Sequence, residues 1–326
     1  MKITVLEHVP FSQKQKERLS KIGDVEYFEY GEDIAIETAL QQTKNSDVIV
    51  VNWIDPSPFI LSLKHPSLVA LMSTGYGWIQ HLAEARDLGI LVSNIPNYAT
   101  ESVAEHILGL LLSFTKRINI SSNWTRPSEV SGCVSSIFDR EIIIPQYKSS
   151  LIGVELKDKT LGIIGLGNIG SRVAELAKAF GMNIITYNRS KKNSSLATDV
   201  SFEELLSQSD IICITCPLND QSKQMINNKN IGLIKKSAIL TGATWGIIEE
   251  SALLEVLKSD QIEGVAFDVA LEGTEKIEND ELLAHPRFLC TKHNAYNTLE
   301  SAERQRDICI DNIEAFIKGN AHNIVN

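Results

Sequence analysis

Short apolar runs alternate with longer polar segments along most of this chain, the rhythm of strands followed by surface helices. In the first part the runs fall at 2–7, 25–28, 47–52, 68–73 and 90–94, separated by helix-compatible stretches such as 13–21. That alternation predicts a parallel α/β layer. Ser102 with Glu105 then reads as a capping box for a strongly apolar helix carried by Ile107, Leu110, Leu111 and Phe114. Between 116 and 148 the periodicity is lost, and Trp124, Pro127, Gly132 and Pro145 mark an extended arm. A segment of that length without pattern is usually functional or packed on something, here a second subunit.

The second part begins with the apolar residues Leu161, Ile163 and Ile164, followed at once by Gly165, Gly167 and Gly170. Val173, Leu176, Ala177 and Phe180 recur at helical spacing, Gly181 punctuates the end, and 183–187 reads as another buried strand. This order of strand, glycine loop, helix and strand predicts a βαβ unit. Beyond it the pattern gives a capped helix at 201–207, strands at 210–217 and 237–240, and an amphipathic helix at 249–258. A strand at 264–269 carries Asp268 near its end. Another follows at 288–291, then the loop 292–298 and a last helix opened by Asn297 and Glu300.

A glycine loop between strand and helix lets the backbone approach a pyrophosphate, whose charge then sits on amides at the positive helix end. Gly165 serves the turn, Gly167 the close approach and Gly170 the packing of helix on strand. At the end of the second strand an acidic residue normally meets the adenosine ribose hydroxyls, and Asn188 stands there instead. Arg189, Ser190, Lys191 and Lys192 follow. A cationic, hydroxyl-bearing turn neutralises a 2′-phosphate that an aspartate repels, so NADP is favoured, with NAD as the other option. A merely solvated turn is the plain alternative.

Length and charge narrow the classes. At 326 residues the chain holds two cores. A net charge of −10 without a basic stripe argues against nucleic acid and suits small-molecule partners. The opening residues turn polar too soon for a signal peptide, and no apolar run approaches a membrane span, so a cytoplasmic protein is expected. The cysteines Cys133, Cys213, Cys216, Cys290 and Cys309 are odd in number and scattered, which implies no disulfide framework. Cys213 and Cys216 have redox or zinc spacing but lie in an apolar run with no completing ligands, the mark of ordinary buried strand; no metal site is expected. Two loops follow strands of the first part, 51–56 and 72–78. In the second, Gly75 and Gly77 either bare backbone amides to an anion or only make a sharp turn. His106, early on its helix, reads as a packed or capping residue.

Taken together, Ser73-Thr74-Gly75-Tyr76, Asn94-Ile95-Pro96, Ser102-Val103-Ala104-Glu105-His106, the glycine stretch at 159–170, Pro217-Leu218, Phe267-Asp268-Val269 and the loop from His293 to Thr298 resemble the D-isomer-specific 2-hydroxyacid dehydrogenase family across nearly the whole chain. The resemblance implies two doubly wound parallel-sheet α/β domains. Residues 1–99 with 296–326 form a flavodoxin-like substrate domain, and 100–295 a Rossmann cofactor domain bearing an arm at about 117–148, with closure over the site between them. It also implies a homodimer. In such a protein His293 is the general acid and base, a glutamate holds its ring, and an arginine binds the substrate carboxylate. The resemblance assigns Gly165, Gly167, Asn168, Ile169, Gly170, Asn188, Arg189, Ser190, Cys216, Pro217, Ala243, Asp268 and Val103 to the cofactor, with Asp268 on the nicotinamide carboxamide. Thr74, Gly75, Tyr76 and Trp245 fall to the substrate.

Two departures stand out. Thr244 occupies the arginine's place, and a neutral threonine cannot replace a bidentate charge-assisted contact. The glutamate's place is Gly273, flanked by Glu272 and Glu275, either of which reaches His293 only if the loop is remodelled; otherwise both are solvated loop charges. Added aromatic residues at Trp53, Trp78, Trp245 and Tyr296 point to a pocket for an apolar or non-carboxylate carbonyl compound. The expected activity is therefore NAD(P)-dependent hydride transfer to or from a small carbonyl or hydroxy compound other than a simple 2-keto acid. The alternative is a catalytically weak or inactive nucleotide-binding regulator on the same scaffold.

Overall fold

A computed structural model describes residues 1–31, 34–63, 67–125, 152–190, 194–269 and 277–326. The chain divides into two compact units, Met1–Ala99 with Asn297–Asn326, and Thr100–Tyr296.

In the first unit β1 (Lys2–Glu7), β2 (Asp24–Tyr30), β3 (Val48–Val51), β4 (Leu68–Leu71) and β5 (Leu91–Ser93) form one parallel sheet in the order β2-β1-β3-β4-β5. β3 and β4 read Val-Ile-Val-Val and Leu-Val-Ala-Leu and are buried throughout, as strands covered on both faces must be. Three helices follow strands: α1 (Gln13–Ser20), α2 (Ile36–Thr43) and α3 (Leu82–Asp87). Ser12 and Gln15 form a capping box on α1. The C-terminal helix, Leu299–Ile317, packs beside α1, where Arg18 meets Asp311 and Glu314. It opens on a capping box of Thr298 and Ser301, one step beyond the expected Asn297 and Glu300.

Strand order in this unit reverses between β1 and β3, where doubly wound sheets open a crevice. The carboxylate of Glu7, 5 % exposed at the end of β1, accepts the amides of Asn52, Trp53 and Ile54 beyond β3 at 2.6–2.9 Å.

The second unit opens with α4 (Thr100–Thr115) and α5 (Ile118–Thr125). α4 starts earlier than its expected capping box, so Ser102 lies inside the first turn and its hydroxyl donates to the carbonyl of Ala295. The stretch expected as an arm begins as the helix α5, and the rest of it, 126–148, lies outside the described residues. The remaining elements are β6 (Thr160–Ile164), α6 (Asn168–Ala179), β7 (Asn183–Tyr187), β8 (Thr198–Asp199), α7 (Phe202–Gln208), β9 (Ile211–Ile214), β10 (Ile239–Gly242), α8 (Glu250–Lys258), β11 (Gly264–Val269), α9 (Asp280–Leu283) and β12 (Phe288–Lys292). Their strands make a seven-stranded parallel sheet, β12-β11-β10-β9-β6-β7-β8, the doubly wound Rossmann order. β8 and α9 are too short to leave a periodic pattern, and sequence reading passes over both. The core packs Ile164, Ile212, Ile214, Leu240 and Phe267 of the sheet against Leu205, Leu253 and Leu257 of the helices. The order reverses between β6 and β9, and the glycine loop leaves β6 at that point.

Candidate active site

Gly165 has φ +98°, and a Cβ there would lie 2.6 Å from the amide nitrogen of Cys216. Only glycine suits both conditions. At Gly170 a Cβ would come within 2.4 Å of the Gly165 carbonyl oxygen, whereas at Gly167 it would meet nothing within 4 Å. The loop is thus closed on its inner side and open outward. Gly167 is the N-cap of α6, and no side chain caps the helix. An open helix start with room for close approach fits the pyrophosphate of a dinucleotide.

Asn188, at the end of β7, turns inward: its Oδ1 accepts the Leu166 amide at 2.7 Å and its Nδ2 donates to Thr186 Oγ1 at 3.2 Å. The residue at the customary acidic position therefore braces the glycine loop. Arg189 and Ser190 beside it are exposed. Arg189 Nη1 donates to Gln221 Oε1 at 2.7 Å, a partner on the loop beyond β9 that sequence reading missed. Lys191 and Lys192 lie outside the described residues. Cys216 and Pro217 follow β9 on the other side of the glycine loop. Burial drives the Cys213 thiol up to about 12 and that of Cys216 to about 11, so both remain protonated and inert at neutral pH. Val103 is buried on α4, and Asn168, Ile169 and Gly170 form the first turn of α6.

Beyond β12 the chain turns sharply. His293 is exposed, has φ +42°, and donates its amide to the carbonyl of Thr291 at 3.1 Å. The ring of Tyr296 stands edge-on to the imidazole, with centroids 5.8 Å apart and planes at 89°. Asp268, 2 % exposed at the end of β11, faces this turn. Its Oδ1 accepts the Asn294 amide at 3.0 Å and the Thr291 hydroxyl at 2.6 Å, and its Oδ2 accepts the Ala295 amide at 2.8 Å. The carboxylate is engaged by the protein's own loop. His106 on α4 reaches Thr291 Oγ1 through Nε2 at 2.8 Å. Glu272 and Glu275, the candidate partners of His293, lie outside the described residues.

Ala243 and Thr244 follow β10 and are half-buried. Trp245 requires a correction. Expected on the substrate side, it is 2 % exposed and packs edge-on to Phe267 at 5.4 Å and Phe288 at 5.7 Å. Its indole N–H donates to Glu250 Oε1 at 2.8 Å, which satisfies the polar edge inside the core. In this turn Thr244 stays half-buried while the next side chain enters the core. Trp245→Ala is therefore expected to cost about 3–5 kcal/mol of stability by opening a core cavity, measured as a lowered midpoint in denaturant unfolding.

In the first unit the loop beyond β4 holds Thr74, whose hydroxyl donates to the carbonyl of Ile95 at 2.9 Å and whose own carbonyl accepts Asn94 Nδ2 at 2.8 Å. Nothing lies within 4 Å of a Cβ at Gly75 or Gly77. Tyr76 and Trp78 are exposed, and Trp53 on the neighbouring loop is 60 % exposed. Among the described residues no group of three or more His, Cys, Asp or Glu side chains is placed to hold a metal ion, and no helix is long and apolar enough to cross a membrane.

Comparison with known proteins places this geometry. A family profile described as D-isomer specific 2-hydroxyacid dehydrogenase, NAD binding domain, matches residues 108–295. The chain is 34 % identical to a glyoxylate reductase of Aeropyrum pernix, over 95 % of this chain and 92 % of that protein. It is 31 % identical to a hydroxypyruvate reductase of Blautia hydrogenotrophica, over 89 % of this chain and 88 % of that protein. A solved structure of an acyclic imino acid reductase in complex with NADPH and D-Arg shares 27 % identity and covers 100 % of both chains, with a TM-score of 0.80. The protein is an oxidoreductase with a nicotinamide-cofactor domain, and it belongs to the D-isomer specific 2-hydroxyacid dehydrogenase family.

Proposed function

We propose that this enzyme is an NADP-linked reductase of a small carbonyl compound other than a simple 2-keto acid, working as a cytoplasmic homodimer. The observation that carries the reading is Thr244 at the place of the family's substrate-binding arginine. Without a guanidinium there, a carboxylate loses a bidentate, charge-assisted anchor and with it much of its advantage over a neutral substrate. Exposed Trp53, Tyr76 and Trp78 on adjacent loops of the first unit favour a substrate with apolar surface.

The second unit serves the cofactor. The glycine loop and the start of α6 receive the pyrophosphate, and Arg189 with Ser190 receives the 2′-phosphate, next to an Asn188 that carries no charge to repel it. When bound, the cofactor supplies the hydride. His293 donates the proton to the carbonyl oxygen on reduction and withdraws it on oxidation, a task imidazole performs near neutral pH. Thr74, Gly75 and Tyr76 in the first unit bear on the substrate through backbone amides beside the glycines. The acyclic imino acid reductase of the same fold is seen in complex with NADPH, which supports the cofactor choice and adds imines to the compounds worth testing.

The test is a panel of 2-keto acids, neutral aldehydes and ketones, and imines, with NADPH oxidation as the readout. The expected result is higher kcat/KM for a compound without a carboxylate beside the carbonyl than for glyoxylate, pyruvate or hydroxypyruvate. Thr244→Arg is expected to raise kcat/KM for those acids by about 10- to 100-fold, the worth of one charge-assisted contact. Efficient native turnover of glyoxylate or hydroxypyruvate, unimproved by Thr244→Arg, would overturn the substrate reading. Tight NADPH binding with no turnover of any compound would return the protein to a regulatory role.

A further inference from the structure

Behind the turn that carries His293 runs a polar chain through Asp268, two of whose members, His106 and Thr291, have no part in the roles above. At φ +42° His293 occupies the left-handed region, which a non-glycine residue holds only when its surroundings impose it. The two amides that follow it donate to separate oxygens of Asp268, Asn294 at 3.0 Å and Ala295 at 2.8 Å. Thr291, whose carbonyl accepts the His293 amide, donates its hydroxyl to Asp268 Oδ1 at 2.6 Å. That hydroxyl has one proton. With the proton directed at the carboxylate, the 2.8 Å contact to His106 requires the imidazole to donate, so His106 carries hydrogen on Nε2. The same nitrogen lies 3.9 Å from Asp268 Oδ1. The chain links α4 to the ends of the successive strands β11 and β12, far from it in sequence.

We propose that His106, Thr291 and Asp268 act as positioning residues that lock the left-handed turn and thereby fix the ring of His293 for proton transfer. The inference rests on His293 as acid and base. Removing the hydroxyl leaves a buried carboxylate oxygen and an imidazole N–H without their shared partner, and the turn relaxes toward ordinary backbone angles. The cost falls on proton transfer rather than on binding, because a displacement of the order of an ångström costs a reacting group about 10²-fold in rate.

Thr291→Val removes the hydroxyl at constant shape, and Thr291→Ser keeps it. The valine variant is expected to lower kcat about 10- to 100-fold with NADPH affinity and KM little changed, while the serine variant restores kcat to near the native value. Combined with His293→Ala, Thr291→Val is expected to add no further loss. ¹⁵N ring shifts of His106 are expected to show the Nε2–H tautomer. Native kcat in Thr291→Val, or an Nδ1–H tautomer at His106, overturns the proposal. Where the valine variant fails to fold, His106→Leu breaks the chain at its other end, and unchanged kcat there overturns it equally. An active His293→Ala would instead refute the catalytic reading, and the tautomer of His106 would still decide whether the polar chain exists.

Discussion

His293→Ala is expected to lower kcat for carbonyl reduction about 10²–10⁴-fold, the usual worth of a positioned acid and base. NADPH affinity, measured by fluorescence titration, is expected to remain within about twofold, because a proton donor contributes to the transition state more than to cofactor binding. The imidazole meets the physical demands of the role. It stands exposed at the end of a strand, on a turn clamped by Asp268, with the Tyr296 ring against its edge. A variant that keeps half of native kcat would remove His293 from the chemistry, and steady-state rates under saturating NADPH decide it.

On the proposed NADP-linked reading, Arg189→Asp is expected to turn discrimination toward NADH. Losing a charge-assisted contact to a phosphate costs about 1.5–3 kcal/mol, and a carboxylate in its place both repels the 2′-phosphate and accepts from ribose hydroxyls. The combined swing in the ratio of kcat/KM for NADPH over NADH is about 10²-fold or more. Gln221 holds the native guanidinium at 2.7 Å, so Gln221→Ala is the milder control that loosens the arginine without inverting the charge. Unchanged discrimination in Arg189→Asp would place the phosphate elsewhere.

Much of this architecture is legible in the sequence, because parallel strands buried on both faces write themselves as apolar runs. The glycine loop was legible in finer detail still. The motif assigns each glycine a task, and the φ of Gly165, the space at Gly167 and the close contact at Gly170 are compatible with those tasks. The burial of Trp245 escapes sequence reading because a turn carries no periodic signal to say which side chain enters the core. His106 and Thr291 were beyond local reading for a different reason: 185 positions separate them, and nothing in either neighbourhood announces the other. Asn188 stands out in the sequence for the charge it lacks, while its grip on the Leu166 amide emerges only in three dimensions.

The two sheets share a construction yet differ at the point where strand order turns back. In the second unit that reversal leaves a helix start bare for an anion, whereas in the first Glu7 already supplies the negative charge to the amides of Asn52, Trp53 and Ile54. A built-in carboxylate of this kind is a permanent competitive occupant. It closes that end of the first sheet to an anion, so that among the described residues the nucleotide is expected on the second unit, saturating at one per chain.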